Sequence, residues 1–176
     1  MPYQPLPSTA PLVMQRLGMA DGSAAAFDVN STCLGFLTAF ETAGRMIEAG
    51  QSKRALIFSS EIASRALPWK DQPEIAALFG DGAAAAILCR SAPGEGKMVA
   101  SLMRTYPSAY DACGIGSGGT RFDFHRQPQE FASHALFHMD GKELFRVTSR
   151  HFNGFLADLL ERAGWDHEEV DLVVPH

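Results

Sequence analysis

The stretch AAAFDVNSTCLGFLTAFETAGRMIEAG, residues 24–50, changes its pattern in the middle. AAAFDVN, ending at Asn30, is a short apolar run of the kind found in strands. From Cys33 onward Phe36, Leu37, Phe40, Ala43 and Ile47 recur at helical spacing, and Gly50 supplies a stop. The reading is strand, tight turn, helix, with a cysteine at the turn. A thiol in that place faces the partial positive charge of unsatisfied backbone N–H groups, which favours the thiolate and makes a workable nucleophile. A competing reading is equally physical, because free cysteine is among the most buried residue types and a buried thiol is inert. The junction alone leaves both open.

On the amino-terminal side, Ser8 followed by TAPLVMQRL and Gly18 reads as a short helix capped by Ser8, with Pro11 in its first turn. On the other side, ALIFSSE (55–61) reads as a buried strand. A loop with Pro68 and Pro73 follows, then AAAAILC as a second strand behind Phe79-Gly80-Asp81-Gly82. MVASLMRTY (98–106) is a third strand candidate. Residues 108–133 are glycine-rich and irregular, and no element is assigned there. The clearest helix comes next: Asp140 and Glu143 have capping-box spacing, Leu144, Val147, Phe152, Phe155, Leu156 and Leu159 share a face, and Gly164 ends it. DLVVP is read as a last short strand before His176. Strands alternating with helices give an α/β class with a largely parallel sheet.

The 176 residues, 46% hydrophobic and 20% charged, suffice for one packed globular domain. A formal net charge of -5 without any lysine or arginine cluster argues against nucleic acid or an anionic membrane as partner. No apolar run approaches the roughly 18 residues of a membrane span, and MPYQPLPSTAP lacks the pattern of a signal peptide, so a cytoplasmic location is expected. Cys33, Cys89 and Cys113 are odd in number and irregularly spaced, which fits free thiols better than a disulfide framework or zinc site.

Two motif-like features are set aside. GIGSGG (114–119) matches GxGxxG, but no clear strand precedes it and TRFDFHRQP does not continue as a helix, so a dinucleotide site is rejected. His134 and His138 are four apart, yet no glutamate or third ligand accompanies them, and no metal is expected. His176 directly follows an apolar run and a proline, where an imidazole can act as donor or general acid and base. Cys33 and His176, both at strand ends, form the pair that a cysteine-based acyl transferase would use.

Five segments taken together carry a resemblance: LPSTA near the start, AFDVNSTCLGF around the cysteine, FGDGAAAAIL in the middle, MDGKELFR before the long helix, and VDLVVPH at the end. In order and approximate spacing they resemble the β-ketoacyl-acyl carrier protein synthase III family, condensing enzymes with a thiolase-like layered α/β fold of mixed, largely parallel sheets. The resemblance spans essentially the whole chain and resolves the reading of Cys33 in favour of the nucleophile.

That resemblance implies a decarboxylative condensation of an acyl-CoA with malonyl-acyl carrier protein to a β-ketoacyl thioester, as in fatty acid or polyketide biosynthesis, with coenzyme A thioester as substrate and no cofactor. Cys33 would accept the acyl group, and His176 would hydrogen-bond the malonyl carbonyl. Leu6 matches a position reaching into the partner subunit's acyl pocket, which implies a homodimer. Phe79 and Met139 match residues lining the acyl tunnel, and Arg146 matches a basic contact to the carrier protein. Where the family has a basic contact to coenzyme A, this sequence has Gln72, with Lys70 nearby.

In the family the histidine is followed by Gln-Ala-Asn, a further catalytic asparagine and a glycine-rich turn, and a strand and helices precede LPSTA. The chain thus corresponds to a central piece, incomplete at both ends. Residues 1–106 would be the second part of an amino-terminal repeat, 107–139 an irregular loop region, and 140–176 the first part of a carboxyl-terminal repeat. Two alternatives remain: a related enzyme that condenses without decarboxylation or acylates an amine or alcohol, and an inactive subunit or dimer partner.

Overall fold

The computed structural model describes residues 3–175. In chain order its elements are helix α1 (Thr9–Arg16), helix α2 (Gly35–Glu48), strand β1 (Arg54–Glu61), the short helix α3 (Pro73–Ala76) and strand β2 (Gly82–Cys89). The two-residue strand β3 (Cys113–Gly114), helix α4 (Pro128–Ser133), the two-residue strand β4 (His138–Met139) and helix α5 (Gly141–Ala163) follow. The chain divides into two compact units, Met1–Arg90 with Gly116–Leu136 and Ser91–Ile115 with Phe137–His176.

In the first unit, β1 pairs antiparallel with β2 from Arg54 opposite Cys89 to Glu61 opposite Gly82. Helix α2 packs on this ladder. The spacing that marks α2 in the sequence accounts for this, because it brings Ala43 and Ile47 onto one face, where both are buried along with Ile57 of β1. Each such isoleucine contributes about 1.5–3 kcal/mol by leaving water. The helix ends as expected, with Gly50 in the left-handed region at φ 73°. Arg90, just past β2, donates to the Ile47 carbonyl at 3.4 Å and so ties the sheet to the last turn of α2. Ala66, Leu67, Ile75 and Ala76 extend the buried set along the connection between the strands.

In the second unit, α5 is bounded by the residues that mark it in the sequence. The Asp140 side chain accepts the Glu143 N–H at 3.0 Å, and Gly164 closes the helix at φ 68°. Only half of a capping box forms, because the Glu143 carboxylate turns instead to Arg146. Both halves of such a box are present at Asp166 and Glu169, in the 3-10 turn His167–Glu169 that sequence reading missed. β3 and β4 form a minimal antiparallel ladder with Cys113 opposite Met139.

Several expected strands are not formed. Residues 24–30, 98–106 and 171–175 carry no ladder, and the two sheets among the described residues are each two-stranded and antiparallel. A strand needs a neighbour as well as an apolar pattern, and the pattern is all that a local reading supplies. For 98–106 the structure shows what replaces pairing: Arg104 forms an ion pair with Asp158 of α5, the Ser101 carbonyl accepts from Arg162, and Tyr106 stacks on His151 with ring centres 4.1 Å apart. The segment is thus held on the helix by side chains.

The irregular stretch contains short elements of its own, the 3-10 turn Pro107–Ala112, β3 and α4. His134 caps α4 and His138 lies in β4, so the two do not share a helical face. No described helix is long and apolar enough to cross a membrane.

Candidate functional site

Cys33 occupies the 3-10 turn Thr32–Leu34, which runs directly into α2. Its side chain is exposed, as are those of Cys89 and Cys113. The amides on either side are already engaged: the Thr32 N–H donates to Asn30 Oδ1 at 3.1 Å, and the Leu34 N–H donates to the Ser31 carbonyl at 3.0 Å. Thr32 itself has φ 52°, a left-handed backbone that is rare for a β-branched residue. The thiol therefore follows a strained, hydrogen-bonded turn, a setting that recurs where structure is spent on function.

Five residues before Cys33 stands Asp28. Its two carboxylate oxygens accept the N–H groups of Thr9 and Ala10, each at 2.7 Å, and so cap the first turn of α1. Sequence reading assigned that cap to Ser8, which makes no side-chain cap bond. The carboxylate wins because it offers two acceptors and a full charge to the positive end of the helix. Partial burial pushes the Asp28 carboxyl up, but the bonds from the Thr9 and Ala10 backbone and the Thr9 side chain outweigh it and hold the group below the ordinary carboxylate range. The LPSTA segment and the cysteine segment are thereby fastened together.

A second carboxylate performs the same service around Phe79. Asp81 accepts the Ser64 N–H at 2.9 Å and its hydroxyl at 2.7 Å, tying the turn before β2 to the turn after β1. These bonds, with the Ser64 backbone foremost, lower its pKa. Phe79 beside it is half-buried, as is Gln72, whereas Lys70 is exposed. Leu6 is 84% exposed.

In the second unit, Met139 is half-buried in β4. Arg146 lies on the exposed side of α5, where its Nε donates to Glu143 at 2.8 Å and holds that carboxyl below its ordinary range. Leu6, Cys33 and Phe79 belong to the first unit, Met139 and Arg146 to the second. His176 lies outside the described residues. Among the described residues no group of three histidine, cysteine or acidic side chains could hold a metal ion.

Asp28 and Asp81 are the contributors that sequence reading missed. Both sit inside the segments carrying the resemblance, but their partners are remote in the chain.

A family described as 3-oxoacyl-[acyl-carrier-protein (ACP)] synthase III matches residues 27–107. The chain is 32% identical over 179 residues to a beta-ketoacyl-[acyl-carrier-protein] synthase III of Caldanaerobacter subterraneus subsp. tengcongensis, a match covering 99% of the chain and 51% of the relative. It is 34% identical over 176 residues to a beta-ketoacyl-[acyl-carrier-protein] synthase III of Streptomyces coelicolor, with the same two coverages, 99% and 51%. The crystal structure of 3-oxoacyl-[acyl-carrier-protein] synthase III from Aquifex aeolicus superposes with a TM-score of 0.79 at 31% identity, covering 99% of this chain and 50% of that one. The chain thus spans about half the length of the relatives it matches.

Proposed function

Because the chain belongs to the 3-oxoacyl-ACP synthase III family and has its thiolase-like layered α/β fold, we propose that the whole protein is an acyltransferase condensing an acyl-CoA with malonyl-acyl carrier protein. The observation that carries this reading is the exposed thiol of Cys33 on a hydrogen-bonded turn at the entry to α2. The thiolate attacks the acyl carbonyl carbon, the tetrahedral intermediate collapses, and coenzyme A leaves as its thiolate. The malonyl thioester then loses carbon dioxide, its carbanion attacks the acyl carbon, and the Cys33 thiolate is released as the β-ketoacyl product departs.

Charge on the carbonyl oxygen in both steps calls for fixed donors, and the Cys33 N–H, between two amides already committed, would be one of them. His176 would donate to the malonyl carbonyl and favour decarboxylation. Phe79 and Met139 would line the acyl tunnel, and Leu6 would enter the pocket of a second copy in a homodimer. Arg146 would meet an acidic carrier protein, giving up part of its bond to Glu143 to do so. No cofactor is called for, and a cytoplasmic enzyme with 1–106 and 140–176 drawn from two repeats, joined through 107–139, completes the reading.

Intact-mass spectrometry with acyl-CoA tests the first half-reaction. One acyl group should add to the protein and be absent from Cys33→Ala; no adduct under saturating thioester would favour the inert partner. Supplying malonyl-acyl carrier protein to the full-length enzyme tests the second, and a product without malonyl-derived carbon would reject decarboxylative condensation.

A further inference from the structure

Beyond its part in the fold, Asp28 stands in an unusual relation to the thiol. It is the acceptor for the first two amides of α1, and through Thr9 it also gathers the segment before that helix, because the Tyr3 N–H donates to Thr9 Oγ1 at 3.4 Å. On its other side only Val29, Asn30, Ser31 and Thr32 separate it from Cys33. That link is short and stiff, since Asn30 accepts from Thr32 and Thr32 is confined at φ 52°. Two converging bonds to a carboxylate fix orientation as well as distance. The direction in which the chain leaves Asp28 is therefore set by α1, and five residues later that direction becomes the placement of the thiol.

We propose that Asp28 is a positioning residue for Cys33, registering the thiol's turn against the amino end of α1. This rests on the reading of Cys33 as acyl acceptor. A carboxylate serving only as a helix cap would stabilise α1 and nothing more; a positioning residue transmits its loss to the turn that holds Cys33.

Two measurements on the full chain separate these roles, using Asp28→Ala, which removes both acceptors, and Asp28→Asn, which keeps one. The first is backbone amide hydrogen exchange, followed by mass spectrometry in peptides covering residues 5–12 and 29–37. Exchange should rise in both peptides in Asp28→Ala and less in Asp28→Asn, whereas a rise confined to 5–12 would overturn the proposal.

The second is the rate at which Cys33 takes up an acyl group from acyl-CoA, located by peptide mapping because Cys89 and Cys113 are also exposed. Displacement of a reacting group by an ångström costs up to about a hundredfold, so Asp28→Ala should lower the saturated acylation rate by about ten- to a hundredfold. The half-saturating acyl-CoA concentration should move little, and Asp28→Asn should recover part of the rate. A rate that falls only in proportion to the folded fraction would overturn the proposal. If the unsubstituted chain takes no acyl group at Cys33, the reading of the thiol fails, while exchange at 29–37 still decides whether Asp28 controls that turn. Should Asp28→Ala fail to fold, Asp28→Asn carries both measurements.

Discussion

In the first unit α2 packs on β1 with Ala43, Ile47 and Ile57 buried, and Ala66, Leu67, Ile75 and Ala76 are buried along the connection between the strands. In the second unit α5 is a 23-residue helix, yet Val147 is its one buried residue among those described, and Ala112 is the other buried residue of that unit. The first unit is held by area removed from water, the second by capping groups and side-chain pairs along a long helix. The difference teaches where single substitutions will be felt. A packed interior concentrates free energy in a few side chains, whereas a capped helix spreads smaller amounts over many positions.

The two tryptophans, Trp69 in the first unit and Trp165 in the second, give each unit its own fluorescence reporter. Ile57→Ala should have the largest effect, lowering the stability read by Trp69 in urea by about 2–5 kcal/mol while leaving the Trp165 transition near its original midpoint. A common shift of both transitions would dissolve the contrast between the units. Asp140→Ala should follow at about 1 kcal/mol, the usual cost of losing an N-cap. It should appear in the Trp165 transition and as lost helical circular dichroism, and an equal shift in the Trp69 signal would count against separate modes of support.

Smallest of all should be Glu143→Gln. The Glu143–Arg146 pair lies in solvent, where screening cancels most of the attraction, so neither midpoint should move measurably even though Arg146 holds that carboxyl below its ordinary range. A clear loss of stability in this variant would mean that α5 depends on its surface pairs.

The parts of the molecule legible in the sequence are those whose cause lies within a turn or two of chain. The apolar spacing of α2, the stop at Gly50, the cap at Asp140 and the close at Gly164 all involve neighbours within a few positions, and they stand where the sequence places them. β1 and β2 were legible as strands because their apolar runs are bounded by turn residues. What a local reading misses is the identity of partners. The cap on α1 comes from Asp28, 19 residues beyond Thr9, and the clamp on Ser64 from Asp81, 17 residues on. AAAFDVN and DLVVP have strand composition without a ladder for the same reason, since pairing belongs to two segments and composition to one. Cys33 was ambiguous from its surroundings alone. The order of five separated segments is what favours the nucleophile, since exposure is shared by all three cysteines.

Thr32 carries a consequence for protein engineering. A glycine at this position would occupy φ 52° without the crowding a β-branched side chain suffers there, so Thr32→Gly relieves the native backbone of a disfavoured conformation. It would also give the unfolded chain more freedom to lose and let the segment beside Cys33 wander among shapes that threonine forbids. Whether the folded chain gains or loses stability, the turn becomes less selective. Where relief of the backbone outweighs that added freedom, stability and a fixed placement of the Cys33 thiol are set against each other at one residue.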